Sequence, residues 1–303
     1  MKKSLSVFLS LGMIATLLVG CGNSGTSVTQ ENAGSESIET WDSTNDITIV
    51  SREDGSGTRG AFVELFEVEE KVNDKKVDMT TQAAQITNNT SVMLTTVAGD
   101  KYSIGYVSLG SLNDSVKVLS IDGVEATVEN IENGSYKVCR PFNIAVKENV
   151  ENKAVQDFMA YILSEEGQNI VVEAGYIPVQ DVKKYESNGA SGKVVVGGSS
   201  SVGPVMEKLI EAYKAVNPQV EIELQVTDSS TGISSTVDGS YDIGMASRDL
   251  KENEMSQGLQ TVVMATDGIA VIVNQDNPID NMSSEQVRTI YTGEALIWEE
   301  VME

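Results

Sequence analysis

The chain has 303 residues, of which 40% are apolar and 22% are charged, a composition typical of a soluble globular protein long enough for two domains. It contains no histidine, which excludes Ser-His-Asp and Cys-His nucleophile arrangements and every His-ligated metal site. The formal net charge of −24 and the lack of a run of Lys or Arg argue against a nucleic-acid partner, because nothing would neutralise a phosphate backbone.

The N-terminus has the pattern of a secretion signal. Two lysines precede an apolar run over 5–19, which is shorter than the about 20 residues that a membrane span needs, and the run leads to Cys21. This is similar to a bacterial lipoprotein signal, so 1–20 are predicted to be removed and Cys21 to carry a lipid. An ordinary secretory leader followed by a chance cysteine is the alternative. Residues 21–45, rich in Gly, Ser, Thr, Asn and Glu, are predicted to form a flexible tether.

The first half of the folded body is predicted to alternate strands with helices. An apolar strand begins near Ile47, a Ser/Gly-rich turn follows at 51–59, and apolar residues then recur at helical spacing over 61–66. The next predicted elements are a short helix at 90–97, a strand at 102–107, and two strands around an Asp-Gly turn within 116–128.

The second half shows the same alternation. Apolar spacing predicts one amphipathic helix over 155–172, and 187–192 form a loop or linker. An apolar strand from Val194 then leads into a second Ser/Gly-rich turn. The remaining predicted elements are a helix from Pro204 to Val216, a half-buried strand over 220–226, and a strand covered on both faces over 269–273. Because strands alternate with helices throughout, the predicted class is α/β.

The two Ser/Gly-rich turns are candidate half-sites for an anion. Each lies between a strand and a helix, where glycines allow close approach and the helix presents unpaired N–H groups with partial positive charge. Serine and threonine hydroxyls donate hydrogen bonds without adding charge, and Arg52 and Arg59 add charged donors beside the first turn. Arg59 is equally suited to pairing with a surface carboxylate. Two such turns facing each other would enclose an oxyanion.

Several motifs resemble those of the phosphate-binding lipoproteins that serve high-affinity phosphate ABC importers. The similarity covers nearly all of the chain after residue 46. The motifs are Ser-Arg-Glu-Asp-Gly-Ser-Gly-Thr-Arg at 51–59, Gly-Ser-Ser-Ser-Val at 198–202, Ala-Ser-Arg-Asp-Leu at 246–250, Asp-Gly-Ile-Ala-Val-Ile-Val-Asn at 267–274 and Tyr-Thr-Gly-Glu at 291–294.

The order of these motifs differs from the usual order of that family. In the family the Gly-Ser-Ser-Ser segment comes first, and the Arg-Glu-Asp-Gly-Ser-Gly-Thr segment follows the Tyr-Thr-Gly-Glu segment. Here the chain stops at 298–303, where the family would continue into the strand at Ile47. A circular permutation joined at 187–192 gives this order, and a truncated tandem duplication would give the same ends.

The resemblance implies a two-lobed α/β fold of the type II periplasmic-binding-protein kind, with the ligand in the cleft between the lobes. Carried over to this order, one lobe would combine 46–141 with 276–303, and the other would be contiguous over 142–275. The anion site predicted between the two Ser/Gly-rich turns would lie in that cleft.

The resemblance also implies the ligand contacts. They fall on Arg52, Asp54, Ser56, Gly57 and Thr58 in one lobe, and on Ser200, Ser201, Ser229, Ser230 and Arg248 in the other. Some relatives carry an acidic residue at the position of Arg248, and a second arginine there would favour a dianion. A buried Asp54 is expected to accept a hydrogen bond from protonated phosphate and to repel sulfate, which carries no proton.

The function implied is that of a substrate-binding protein, not an enzyme, that captures inorganic phosphate. It would be held at the extracytoplasmic face of the cell membrane by the lipid on Cys21 and would deliver phosphate to the membrane permease of an ABC importer. No cofactor, metal or nucleic acid is expected. The alternatives are a binding protein for another oxyanion, a carboxylate-based extracellular hydrolase and a structural surface lipoprotein.

Overall fold

The computed structural model describes residues 41–73 and 75–302. The predicted signal peptide, Cys21 and the tether up to residue 40 lie outside the described residues. Within these two ranges, no helix combines the length and the apolar composition needed to cross a membrane.

Strands and helices alternate along the described chain. In chain order the elements are β1 (Thr48–Arg52), α1 (Gly57–Leu65), β2 (Glu69–Val72), β3 (Lys75–Asp78), β4 (Gln85–Thr87), α2 (Thr90–Gly99), β5 (Ser103–Ser108), β6 (Val116–Val118), β7 (Ser120–Ile121), α3 (Val128–Glu132) and β8 (Cys139–Lys147). They continue with α4 (Lys153–Ile162), α5 (Glu165–Glu173), β9 (Ile177–Pro178), β10 (Gly192–Ser199), α6 (Gly203–Val216), β11 (Val220–Thr227), α7 (Ser229–Asp238), β12 (Ile243–Ala246), α8 (Glu252–Met255), β13 (Leu259–Asn274), β14 (Asn281–Met282) and α9 (Ser284–Thr292). This confirms the α/β class.

One sheet passes through both lobes, in the strand order β11-β10-β12-β8-β13-β5-β1-β4. At one end β10 pairs in parallel with β11 and β12, and at the other end β1 pairs in parallel with β4 and β5. The antiparallel strands β8 and β13 join the two parallel groups. These are the two crossing segments that a two-lobed binding fold requires.

Each lobe has its own apolar core, and the cores meet in the crossing strands. One core runs from Ile47 to Val138 and resumes at Ile269, whereas the other runs from Phe142 to Ala265. The whole of 142–275 was predicted to form one lobe. The cores correct that assignment, because residues 269–273 of β13 lie in the first core.

The division between the cores is marked by a buried ion pair on the crossing strands. Arg140 of β8 lies opposite Asp267 of β13, and Arg140 Nη2 donates to Asp267 Oδ2 at 3.0 Å. Ser108, the last residue of β5, donates to the other carboxylate oxygen at 2.9 Å. The two crossing strands are therefore tied to each other and to the first lobe at the hinge.

The two ends of the described chain pack together in the first lobe. The Ile47 N–H donates to the Leu296 carbonyl at 2.8 Å, and the hydroxyl of Tyr291 donates to the Val50 carbonyl at 3.1 Å. The Tyr291 ring also contacts Phe62. Packing of 278–302 against the lobe that contains the first turn is what a permuted order predicts.

Residues 41–45, predicted as tether, pack against the first lobe instead. The Trp41 indole donates to the Lys101 carbonyl at 3.2 Å and its ring contacts the rings of Tyr102 and Trp298. An aromatic side chain contributes a large apolar surface, and these neighbours cover part of it. The prediction of a tether up to residue 45 is wrong for these five residues.

Two local predictions are also wrong. The helix expected over 155–172 is split into α4 and α5, because the Ser164 hydroxyl accepts a hydrogen bond from Gly167 N–H and starts a new helix. The Asp-Gly turn expected within 116–128 forms, but the second strand after it is reduced to a single antiparallel bridge between Val124 and Ile121. Instead, Thr127 caps the short helix α3.

The loop 187–192, predicted to join the ends of the permuted family sequence, is held by the carboxylate of Asp157. This side chain is 1% exposed and accepts hydrogen bonds from the Asn188 N–H at 2.6 Å, from Tyr185 Oη at 2.7 Å and from Tyr213 Oη at 2.6 Å. Asn217 Nδ2 adds a donor at 3.0 Å. Although burial by itself raises the pKa of Asp157, these donors hold it below its usual value.

We predict that Asp157→Asn lowers the free energy of unfolding by about 3 kcal/mol near neutral pH, because an amide replaces the acceptor of several buried donors. The exposed Asp114→Asn should leave it unchanged. The stabilisation by Asp157 is complete above the unfolded-state pKa of about 3.9 and is lost as the pH falls through the lower folded-state pKa. Urea unfolding at neutral and acidic pH tests both statements, and a loss that does not shrink in acid would contradict the assignment.

Candidate functional site

The first Ser/Gly-rich turn places Arg52 at the carboxyl end of β1 and begins α1 five residues later. Ser56 is the N-cap of α1, since its hydroxyl accepts a hydrogen bond from Arg59 N–H. The Arg52 N–H donates to Tyr106 Oη at 3.2 Å, and the Tyr106 ring stacks on Phe62 with 3.9 Å between centroids. Burial raises the pKa of Tyr106 to about 12, so its hydroxyl stays protonated. The strand end that carries Arg52 is thus rigidly supported.

The second turn places three serines at the carboxyl end of β10. Gly198 has φ +134°, which favours glycine, and an added Cβ would overlap the Met245 carbonyl. Ser199, Ser200 and Ser201 are all buried. The turn then enters α6, which has proline in its first turn.

The two turns face each other across the cleft and touch. Arg52 Nη2 donates to Ser200 Oγ at 3.0 Å, and the hydroxyls of Thr58 and Ser201 are 2.7 Å apart. Arg52 is 2% exposed, and Thr58 and Ser201 are equally buried. The structure therefore brings together, from opposite lobes, the two segments that the sequence identified as half-sites.

The remaining residues predicted in the second lobe lie at the start of α7 and at the end of β12. The Ser229 hydroxyl accepts from the Ser247 N–H at 3.1 Å, and Arg248 Nη2 donates to Ser230 Oγ at 3.2 Å. Gly57 fits against this group, since an added Cβ would overlap Ser229 Oγ and lie 2.7 Å from Ser247 Oγ. The first turn thus contacts the α7 segment as well as the second turn.

A glutamate holds each of the two arginines of this cluster, Arg52 and Arg248, through two hydrogen bonds. Arg52 donates to both carboxylate oxygens of Glu53, at 2.9 and 2.8 Å, and Arg248 donates to both oxygens of Glu254, at 2.8 Å each. Burial raises the pKa of Glu254, but the hydrogen bonds from Arg248 and the Lys251 N–H outweigh it and lower that pKa overall. Such bidentate pairs fix the plane of a guanidinium and leave its other N–H groups free to donate elsewhere.

The expectation that Asp54 is a buried acceptor in the cleft is contradicted. Its side chain is 95% exposed and pairs with Arg59 Nη1 at 2.7 Å. Arg59 also binds Asp78 at 2.8 Å and donates to the Arg52 carbonyl at 2.9 Å. Arg59 therefore faces the outer side of the turn and draws Asp54 away from the cleft, which removes the physical basis for sulfate rejection by Asp54.

Several residues of this cluster were not predicted from the sequence. Thr90, the first residue of α2, has its hydroxyl 3.3 Å from Ser200 Oγ and 3.4 Å from Ser201 Oγ. Ser199 donates to Ser247 at 2.9 Å, which links the second turn to β12. The available sequence signal for Thr90 was its place at the start of a predicted helix. The approach of that helix to the two Ser/Gly-rich turns is set by the fold and has no signal in the local sequence.

The cluster lies where strands end and helices begin. Carboxyl ends of β1, β10 and β12 meet there, as do the N-termini of α1, α2, α6 and α7. A cavity of about 970 Å³ lined by Glu53, Thr90, Ser200, Gly203 and Asp228, among others, adjoins it. Ligands of open α/β sheets bind beyond the carboxyl ends of strands. Buried hydroxyls, guanidinium groups and helix N-termini in such a place suit an oxyanion.

Two lobes joined by two strands, with a polar cluster between them, define the class of two-lobed ligand-binding proteins. A sequence model of the PBP superfamily domain matches residues 30–166 and 183–301. The chain is 52% identical over 301 residues to the phosphate-binding protein PstS 2 of Streptococcus agalactiae serotype V, and the alignment covers 99% of this chain and 98% of that protein. It is 39% identical over 300 residues to PstS 2 of Streptococcus pneumoniae serotype 4, with 99% of both chains covered.

Among solved structures, a phosphate-binding protein of a phosphate ABC transporter from Streptococcus pneumoniae TIGR4 matches with a TM-score of 0.68 and 42% identity. The match covers 85% of this chain and 100% of that one. The chain belongs to the PBP superfamily and, within it, to the family of the phosphate-binding proteins PstS. Because the alignments to the streptococcal sequences run over almost their whole length, those relatives share the segment order of this chain.

We predict that Gly57→Ala separates the lobes, because a methyl group there overlaps the hydroxyl of Ser229 and crowds that of Ser247. Overpacking of this kind costs about 1–3 kcal/mol, enough to shift a balance between closed and open forms. Gly60→Ala is the matched control in the same helix, since its Cβ would meet only Arg248 Cδ at 3.6 Å. Small-angle X-ray scattering should give a larger radius of gyration for Gly57→Ala alone. Equal values for both variants would contradict the closed contact.

Proposed function

We propose that this chain is the extracytoplasmic substrate-binding component of a phosphate ABC importer, and that it captures inorganic phosphate between its lobes. The observation that carries the proposal is the contact of the two turns, with Arg52 against Ser200 and Thr58 against Ser201, all buried. These groups come from opposite lobes. An anion that accepts hydrogen bonds from both sides would therefore favour the closed form.

Inorganic phosphate matches the donors of the cluster. Its tetrahedral oxygens accept hydrogen bonds from hydroxyls, guanidinium groups and backbone N–H groups alike, and a buried setting strengthens each of these bonds. The proposed contacts are Arg52, Ser56, Gly57, Thr58, Ser200, Ser201, Ser229, Ser230 and Arg248. The two arginines, each fixed by a glutamate, suit a dianion.

The relatives support the same function. The streptococcal proteins aligned over their whole length are named phosphate-binding proteins, and the matching crystal structure is that of a phosphate-binding protein of an ABC transporter. A binding role, not catalysis, also agrees with the lack of histidine in the sequence. Delivery to a membrane permease and a lipid anchor on Cys21 complete the proposal.

Arg52→Ala should weaken phosphate binding at least about thirtyfold, because losing a buried charged donor costs about 2–5 kcal/mol. Arg59→Ala should weaken it much less, since Arg59 pairs on the outer face of the turn. Isothermal titration of the mature, delipidated protein and both variants tests this, with Arg288→Ala as a remote control.

Titrations of the wild type with phosphate and with sulfate separate the alternatives. Stoichiometric binding of phosphate supports the proposal. Tighter binding of sulfate would instead favour a protein for another oxyanion, and the lack of binding of either anion would favour a structural lipoprotein. If Arg59→Ala were the more damaging variant, the proposed orientation of the first turn would be wrong.

A further inference from the structure

Thr90 occupies a special position among the residues of the cleft. It is the first residue of α2 and belongs to neither Ser/Gly-rich turn, yet it is 6% exposed and lies in the cluster with both turns. It comes from the first lobe, whereas its hydroxyl neighbours, Ser200 and Ser201, come from the second. α2 thus brings a second segment of the first lobe, besides the first turn, into the cleft.

The hydroxyl contacts of Thr90 are longer than good hydrogen bonds. Its Oγ1 lies 3.3 and 3.4 Å from the two serine hydroxyls, whereas O–H···O bonds cluster near 2.7–2.8 Å. The neighbouring pair Thr58–Ser201 does reach 2.7 Å. A buried hydroxyl with only long contacts retains most of its capacity to donate.

Other threonines of the same helix show what Thr90 lacks. Thr95 donates to the Ser91 carbonyl at 2.9 Å, and Thr96 donates to the Val92 carbonyl at 2.8 Å. A threonine at the start of a helix has no carbonyl one turn earlier in that helix to receive its hydroxyl. The Thr90 hydroxyl is therefore directed to the cleft and not to its own backbone.

The backbone of α2 adds to this donor. The first N–H groups of a helix have no intrahelical acceptor, and the N-terminus carries a partial positive charge. Asn89 caps α2 by accepting from the Val92 N–H at 2.9 Å, which fixes the helix start beside the cluster. A donor side chain and a favourable dipole thus meet at one place.

We propose that Thr90 is a phosphate-binding residue of this protein, and that its hydroxyl donates to the same anion as Ser200 and Ser201. The inference rests on the proposed function and extends it, because it assigns a second anion-binding segment to the first lobe. Since the serines belong to the opposite lobe, the Thr90 contact is complete only when the lobes are closed.

The test compares Thr90→Val, Thr90→Ala and Thr90→Ser with Thr95→Val, the same substitution on the same helix at an exposed position. Valine keeps the shape of threonine and replaces its hydroxyl with a methyl group. We expect a rise in the Kd for inorganic phosphate of about tenfold for Thr90→Val and Thr90→Ala, and near wild-type values for Thr90→Ser and Thr95→Val. The melting temperature without phosphate should be the same for Thr90→Val and wild type.

The outcomes distinguish this inference from the function on which it rests. If the wild type binds phosphate and Thr90→Val and Thr90→Ala bind it equally well, the role of Thr90 is overturned and the proposed function stands. If Thr90→Ser is as weak as Thr90→Ala, the hydroxyl is not the donor and the inference also fails. If the wild type does not bind phosphate, both fail. If Thr90→Val does not fold, the comparison of the phosphate Kd of Thr90→Ala with that of Thr90→Ser tests the role of the hydroxyl.

Discussion

The contact between the two Ser/Gly-rich turns is the interaction on which the site between the lobes depends. Arg52 reaches Ser200 and Thr58 reaches Ser201 only because each turn ends a strand and starts a helix at the same edge of the sheet. The groups that meet are donors held by their own lobes, through Tyr106 in one and Ser199 in the other. Buried hydroxyls and a guanidinium group gathered from both lobes can donate to an oxyanion, and a buried setting strengthens such hydrogen bonds.

The order of segments along the chain matters little to this site. The first lobe is assembled from both ends of the described chain. The hydrogen bond from the Ile47 N–H to the Leu296 carbonyl and the contact of the Tyr291 ring with Phe62 hold these two ends together. In the second lobe, Asp157 fixes the loop near Asn188. A site built from strand ends and helix starts depends on which elements are neighbours in space, and the connections between them can change without moving it.

Much of the fold and part of the site could be predicted from the sequence. The two turns are local patterns of glycine, hydroxyl and apolar residues, so they could be identified as facing half-sites before the fold was known. Arg52, Thr58, Ser200 and Ser201 were implied as ligand contacts only by the family resemblance. The orientation of Asp54 could not, because it depends on Arg59 and Asp78, which approach from other elements. Thr90 was missed for the same reason, since the residues that surround the start of a helix depend on the tertiary fold. The split between α4 and α5 was hidden by continuous apolar spacing on both sides of Ser164.

The most direct test of the central claim is a crystal structure of the mature protein grown with saturating inorganic phosphate. We expect tetrahedral electron density between the lobes, within hydrogen-bond distance of Arg52, Thr58 and Ser201. Phosphate density at any other place, or closed lobes with no density between these three residues, would contradict it.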